Sequence, residues 1–533
     1  MSFFNKDSSH YLIRLYKEYL SLYKTDLLIS SFLMSLVALC NGLMVIIVKP
    51  TIDKLFITFD SKYFILIPTS IIIITLTKGI AEYFQNYLLK NIGQRLVSNM
   101  QLKMYENFIN SNLETIQEYS SGRIMSKFTN DIILMRGSLL KCLEGLSKHL
   151  ISIICFIGIM FYTEPYISLF LFLLFPFAIY PIHLLGKKIE ISVIAAQKEL
   201  EHFTSNIQES LDSSLEVKSY LGEECEINRM HKIIETIFIH YQNSIKFDSL
   251  SSPIIETLGG IFLAFIIVYG CLMISDSSSS PGSIYSFIAA FSAAYRPFKS
   301  ITALNIYFRE GVGASKRIFT LLDISKTHNN NANQISIINE IDNIEIKNIS
   351  LIKDEKVIIN NISLKIQGPI NIAIIGESGS GKTSLANIIC GFWTPSSGEV
   401  LINKNNINLY SNNSLRKNIA YITQNTKLFN IKIKDNISYP NVSDNLDRIK
   451  EASKLALADE FISNLKNEYD YIVKDNGSKF SAGQLQKISI ARILYKNSSL
   501  MVFDEATNSI DYHTEQKIKA NILNNGKKIN IFI

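Results

Sequence analysis

The sequence predicts a chain in two parts: an α-helical membrane domain with six spanning helices, then an α/β domain built around a nucleotide phosphate loop. Three observations carry this prediction. Long apolar runs crowd the chain up to Leu304; a strand-like run opens into a Gly-rich loop ending in Lys382 and Thr383; and a later apolar strand ends in two adjacent acids, Asp504 and Glu505. The bulk composition agrees. Of 533 residues, 47% are hydrophobic, and the mean hydropathy of +0.17 is well above that of an ordinary soluble enzyme. A formal charge of +6 is small for this length and gives no reason to expect nucleic acid.

The clearest apolar runs are Leu27–Val48, Tyr63–Ile80, Leu150–Tyr162, Ile167–Leu185, Pro253–Ile274 and Ile284–Leu304. A spanning helix needs about 20 apolar residues, because only a helix satisfies its own backbone in lipid. The third run is short, and its helix is expected to extend backwards through "LLKCLEGLSKHL" with the charged face shielded by protein. Buried helices of a large soluble core would account for one such run but not for six. The links "KPTIDKLFITFDSK", "TEPY" and "SDSSSSPGS" are short, whereas those after the second and fourth helices are long, helical in pattern and rich in Lys and Arg. The N-terminal segment is also basic, through Lys6, Arg14, Lys17 and Lys24. Positive charge collects on the cytoplasmic side, so both termini and both long loops are expected there, in a multi-pass protein. "MSFFNKDSSHYLIRLYKEYL" is charged and amphipathic, unlike a cleaved signal.

The six cysteines (Cys40, Cys142, Cys155, Cys225, Cys271, Cys390) show no pair at ligand spacing, and several fall in apolar runs. Buried structural thiols are expected of most, with neither a disulfide framework nor a zinc site. Among polar residues of the membrane half, Lys78, Glu82, Glu144 and His183 are candidates to line a cavity, although the cytosolic extensions of the helices are the more natural place for them. "SKTHNNNANQISIINE" is polar and Asn-rich and reads as a linker. The expected organisation is therefore a membrane domain over 1–322, a linker over 323–340 and a nucleotide domain over 341–533.

In that last domain the strand "INIAIIG" runs into "GESGSGKTSLANII". The spacing G-x-x-x-x-G-K-S/T between strand and helix is that of a phosphate loop. Its glycines let backbone N–H groups wrap phosphate oxygens, Lys382 reaches the β- and γ-phosphates, Thr383 can ligate magnesium, and the helix N-terminus favours an anion. Gly376, Glu377, Ser378, Gly379, Ser380, Gly381, Lys382 and Thr383 are thus expected to bind nucleotide. In "SLMVFDEA", Asp504 stands where such an enzyme holds magnesium, and Glu505 where it polarises water. "NIAYITQN" puts Gln424 at a strand end within reach of metal or water; a lone Gln in a solvated loop reads the same way. In "FSAGQLQKISIARIL", Ser481 and Gly483 begin a helix, which offers an anion site and is equally an ordinary helix cap.

In this order, phosphate loop, Gln loop, Ser-x-Gly-Gln helix, Asp-Glu and "NSID" resemble the nucleotide-binding domain of ABC transporters. Six helices with long cytoplasmic loops ahead of one such domain look like a bacterial exporter-type half-transporter. "VKPTIDKLF", "SSGRIMSKFTND", "AAYRPFKSIT" and "ASKRIFTLLD" are similar to its lipid A flippase and multidrug exporter branch. The resemblance implies two nucleotide domains closing head to tail on two ATP molecules. Gly376–Ser384 of one subunit would face Ser481, Gly483 and Gln484 of the other across each ATP. It implies Glu505 as catalytic base with Lys382 and Gln424 assisting, magnesium on Thr383, Asp504 and Gln424, and Asp511 contacting the opposite site. Short helices near Leu113–Gln117 and Ser210–Leu215 would couple ATP closure to the membrane helices.

The implied function is ATP-driven export or flipping of lipids or other amphipathic molecules across the bacterial inner membrane. The implied partners are a second half-transporter subunit, as a homodimer, and the lipid bilayer, without nucleic acid. Three departures qualify this. The adenine-stacking aromatic is replaced by Ile352 or Lys353, and the signature's first glycine by Ala482. The chain also stops just after a strand, "INIFI", that in the family precedes a γ-phosphate His; His513 reads as exposed surface instead. The alternatives are therefore a hydrolysis-impaired ATP-binding subunit of a heterodimer, or an inactive truncated product.

Overall fold

A computed structural model describes residues 6–117, 119, 121–275, 279–323, 336, 340–353, 355–424, 426–441, 445–474, 477–524 and 528–533. Most of the expected 323–340 linker therefore lies outside the described residues. The chain divides into two compact units, one of Met1–Glu106 with Ser121–Leu322 and one of Asn107–Ser120 with Asp323–Ile533. The second unit thus takes in Asn107–Ser120, which the sequence places in the first of the two long loops.

The first unit is helical. After the amphipathic α1 (Lys6–Glu18), a long segment comprises α2 (Lys24–Ile46), the single turn α3 (Val48–Pro50) and a π-helical stretch over Thr51–Ile57. Next come α4 (Tyr63–Ile109) and, after the short α5 (Leu113–Gln117) that belongs to the second unit, α6 (Ser121–Ser126), α7 (Ile132–Glu144) and α8 (Leu150–Thr163), which follow one another with π-helical turns between. The unit closes with α9 (Pro165–Asp212), α10 (Ser214–Ser219), α11 (Glu223–Ser275) and α12 (Pro281–Asp323). Four segments among the described residues are long and apolar enough to cross a membrane: Leu20–Ile57, Tyr63–Ile109, Gly122–Thr163 and Glu256–Ser275.

The six expected spans all lie on long helices, but α9 and α12 do not meet that threshold. Part of α9 falls outside the described side chains, His183 included. In α12 the reason is physical. It carries serines, Arg296 and Lys299, and buries Phe287, Ala290 and Ser286 completely. Ser286 Oγ donates to the carbonyl of Val45 at 3.1 Å, so polar content is spent inside the bundle rather than toward lipid. The outer face of α4 is the opposite case, with Ile65 74% and Ile73 63% exposed. So much bare aliphatic surface is untenable in water and natural in hydrocarbon. Prolines 68, 253 and 297 lie inside helices, as membrane helices tolerate.

The structure corrects several expectations. The link read in "KPTIDKLFITFDSK" is helical as far as Ile57. Its acid serves the helix ends: Asp53 accepts from Gly282 N at 2.8 Å and from Ser280 Oγ at 2.6 Å. Glu164, between α8 and α9, accepts from Ser279 Oγ at 3.1 Å and Ser283 Oγ at 2.8 Å. Two carboxylates thus pin the turn into α12. Asp53→Ala strands the Gly282 N–H and the Ser280 hydroxyl together; it is expected to lower stability by about 1–3 kcal/mol. The check is a reduced thermal midpoint of the full chain in detergent, larger than that of Ser280→Ala, which leaves the Gly282 bond.

Lys148 is shielded as expected of the third helix, pairing with Glu82 at 2.8 Å and Glu144 at 3.7 Å. All six cysteines are free, but only Cys40 and Cys390 are buried, while Cys225 and Cys271 are exposed on α11, whose outer face has no protein over it there. The second short helix begins at Ser214 rather than Ser210, because α9 runs to Asp212 and breaks at Ser213 (φ −102°, ψ 25°).

In the second unit the strands are β1 (Asn343–Lys353), β2 (Lys356–Gln367), β3 (Ile370–Ala373), β4 (Ser397–Ile402), β5 (Asn405–Asn406), β6 (Ile419–Ile422), β7 (Leu500–Phe503) and β8 (Ile529–Phe532). An antiparallel sheet has the order β2-β1-β4-β5, and a parallel one the order β3-β8-β7-β6. Its helices are α13 (Lys382–Ile389), α14 (Asn412–Asn418), α15 (Ile433–Ser438), α16 (Leu446–Leu455), α17 (Asp459–Ser463), α18 (Ala482–Lys496) and α19 (Tyr512–Asn524).

Parallel strands covered on both faces read as unbroken apolar runs, and all four residues of β7 are buried. β8, the "INIFI" run, is a buried strand between β3 and β7. Its one polar residue, Asn530, is 3% exposed and donates to Asn371 Oδ1 at 2.7 Å, opposite it in register on β3. A slip of one residue would separate these amides, so the pair specifies register.

Candidate nucleotide site

The phosphate loop leaves β3 and enters α13. Gly379 (φ +82°) and Gly381 (φ +89°) occupy the left-handed region, and a Cβ on Gly381 would stand 3.0 Å from the carbonyl of Ile358. Gly381 has no capping side chain, so the first N–H groups of α13 stay open to an anion. Lys382 Nζ donates to the carbonyls of Gly376 at 3.0 Å and Glu377 at 2.8 Å, holding its charge over the loop.

The end of β7 delivers the two acids. Asp504 is 3% exposed, and its charge is met by two donors: Thr383 Oγ1 at 3.2 Å to Oδ1 and Tyr421 Oη at 3.0 Å to Oδ2. Burial first, and then the Asp504 charge beside it, raises the Tyr421 phenol, so it stays a donor. Parallel pairing of Tyr421 with Val502 brings it there. Glu505 Oε2 accepts from Gln424 Nε2 at 2.6 Å and from Asn508 Nδ2 at 2.7 Å. The structure therefore joins Thr383 to Asp504 and Gln424 to Glu505. Tyr421 and Asn508 were not singled out from sequence; a lone Tyr in a strand and a lone Asn in a turn carry no pattern.

The oxygens of Thr383, Asp504 and Gln424 suit magnesium, which takes one or two carboxylates plus substrate phosphate rather than a protein cage. No group of three or more His, Cys, Asp or Glu side chains gathers at metal-binding spacing among the described residues.

Ser481, Gly483 and Gln484 form the start of α18. Ser481 Oγ accepts from Gln484 N at 3.3 Å and Gln484 Oε1 accepts from Ser481 N at 3.0 Å, a reciprocal cap. A Cβ on Gly483 would lie 2.8 Å from the carbonyl of Ser509. Gln486 bridges the same turn, accepting from Ser509 N at 3.0 Å and donating to the Glu505 carbonyl at 3.5 Å. Among the described residues no hydrogen bond links this cap to Gly376–Ser384.

Asp511 caps α19, accepting from Thr514 N at 2.9 Å, which holds its carboxyl below the usual range. His513 is exposed. At the positions that would carry an adenine-stacking aromatic, Ile352 is exposed and Lys353 Nζ lies 4.8 Å from the centre of the Trp393 ring. Cys390 is an inert thiol, pushed up to about 12 by burial.

A family model described as "ABC transporter transmembrane region" matches residues 27–298, and one described as "ABC transporter" matches residues 359–508. The chain is 33% identical over 473 residues to the ATP-dependent lipid A-core flippase of Syntrophus aciditrophicus, covering 89% of this chain and 79% of that protein. It is 31% identical over 506 residues to the flippase of the same name from Desulfotalea psychrophila, covering 95% and 88%. For that of Escherichia coli K12 the identity is 27% over 501 residues, covering 93% and 86%. The structure of a bacterial Atm1-family ABC exporter with ATP bound superposes with a TM-score of 0.79 at 19% identity, covering 95% of this chain and 90% of that one, a likeness of fold.

Proposed function

This chain belongs to the ABC transporter family, and from that premise we propose that it uses ATP to move lipids or other amphipathic molecules across the bacterial inner membrane as a dimer of half-transporters. The observation that carries the ATP half is the joining of Thr383 to Asp504 and of Gln424 to Glu505 beside an open phosphate loop. The flippase relatives support the lipid half. So does a cavity of about 450 Å³ among α8, α9, α11 and α12, apolar at Ile157, Phe172 and Phe262 and edged by Glu256 and Lys299. Its size and largely apolar lining suit the apolar tail of such a molecule.

Lys382 and the open N–H groups of α13 bind the phosphates of ATP. Thr383, Asp504 and Gln424 would hold magnesium, which neutralises charge on the phosphates when bound. Glu505 orients the attacking water. The water oxygen bonds to the γ-phosphorus while the bond from that phosphorus to the β–γ bridging oxygen breaks; a water proton passes to Glu505, and ADP and phosphate remain. Each site is completed by Ser481, Gly483 and Gln484 of a second subunit. Within one chain these residues cap α18 and, among the described residues, make no hydrogen bond to Gly376–Ser384, which is consistent with that.

ATP turnover of the full chain in lipid tests this reading. It is expected to depend on Lys382: a Lys382→Ala variant that turns over ATP like the parent would overturn the assignment. Tyr421→Phe removes the donor on Asp504 Oδ2 and frees that buried carboxylate to turn. The magnesium concentration for half-maximal turnover is expected to rise about ten-fold, as removal of an outer partner of a metal ligand commonly does. A magnesium titration checks it.

A further inference from the structure

Glu505 has a φ of +49°, a left-handed backbone uncommon for a residue bearing a side chain. The turn that follows closes on it, with Asn508 N donating to its carbonyl at 3.4 Å. This folding back puts the Asn508 amide against the carboxylate. Both Asn508 Nδ2 and Gln424 Nε2 reach the same oxygen, Oε2. Oε1 is thereby the carboxylate oxygen that the two amides leave open.

We propose that Asn508 is a positioning residue for ATP hydrolysis, fixing Oε2 of Glu505 so that Oε1 faces the attacking water. The inference rests on Glu505 as the proton acceptor in the reading above. An unrestrained carboxylate at a partly exposed strand end samples several rotamers, and most of them point neither oxygen at the water. Two donors from different elements hold one. Gln424 has a second duty, offering its amide oxygen toward magnesium, whereas among the described residues the Asn508 side chain bonds Glu505 alone. It is the tether that remains while Gln424 serves the metal. Geometry of this kind acts on the chemical step, since misplacement of a reacting group by about 1 Å can cost up to roughly 100-fold in rate.

The test compares the full chain in lipid with Asn508→Ala, Asn508→Asp, Glu505→Gln and the Asn508→Ala/Glu505→Gln double variant. ATP binding is measured separately with a fluorescent ATP analogue. Asn508→Ala is expected to lower kcat about ten-fold, with KM for ATP and analogue binding changed less than about two-fold. Asn508→Asp keeps the shape and suits the turn equally well, but it presents an acceptor to the carboxylate; it is expected to be worse than Ala. In the Glu505→Gln background Asn508→Ala is expected to add no further loss.

An Asn508→Ala kcat equal to the parent's, an Asn508→Asp variant as active as the parent, or losses that multiply in the double variant would each overturn the positioning role while leaving Glu505 as base. A Glu505→Gln variant that turns over like the parent would overturn the base assignment, and the Asn508 role with it. Loss of analogue binding in both Asn508 variants would mean a structural role only, and would overturn the proposal.

Discussion

Glu505→Gln is expected to bind ATP as the parent does and to hydrolyse it about 10²- to 10⁴-fold more slowly, the range that a positioned general base contributes. Gln has the volume of Glu, and its side-chain oxygen still accepts from Gln424 and Asn508, which now donate at 2.6 Å and 2.7 Å. The local packing therefore survives, and what is lost is the capacity to take a proton from water. Lys382→Ala separates the two requirements. It removes the one ammonium of the loop, so it is expected to weaken ATP binding roughly 10- to 100-fold, the worth of a charge-assisted hydrogen bond. Binding retained in Glu505→Gln and weakened in Lys382→Ala, read by equilibrium binding and steady-state turnover, is the pattern that assigns acceptor and phosphate ligand to these side chains.

The second large effect concerns the partner subunit. Gly483→Ala sets a methyl 2.8 Å from the Ser509 carbonyl, a backbone atom that cannot yield cheaply, at the helix start proposed to face the other subunit's ATP. Alone, Gly483→Ala and Lys382→Ala are each expected to abolish turnover, since every site in either homodimer carries one defect. Co-expressed, they form mixed dimers in which one site combines both defects and the other is intact. Turnover is expected to return to roughly a quarter of the parent's if equal amounts mix randomly and sites act independently. No recovery in purified mixed dimers, tagged separately on each variant, would contradict a site shared between subunits.

Much of the nucleotide unit was legible because its chemistry forces residue type and spacing together. A phosphate loop needs glycines where φ is positive, and Gly379 and Gly381 are there. β7 reads as a strand because burial leaves only apolar residues there, and β8 because its one polar residue, Asn530, sits in an otherwise apolar run. Tyr421 and Asn508 were not legible. Each acts through a partner far away or through an unusual backbone, Tyr421 across a parallel strand pair and Asn508 across a turn set by the φ of Glu505.

In the membrane unit, hydropathy located helices that face lipid, such as α4, better than it did α12, whose polar residues are buried against other helices. The stretch from Lys49 to Ile57 looked like a link because it holds Pro50, Asp53 and Lys54. In the structure it stays helical, and Asp53 is spent on the turn into α12. Charge near a helix end signals a loop only when no neighbouring backbone needs it.

The most direct test of the account is movement of a fluorescently labelled lipid between leaflets of vesicles containing the full chain, followed by accessibility to a membrane-impermeant quencher. The account predicts translocation that requires ATP and magnesium and is lost in Glu505→Gln. Lipid movement that is equal with and without ATP, or as fast in Glu505→Gln as in the parent, would contradict it.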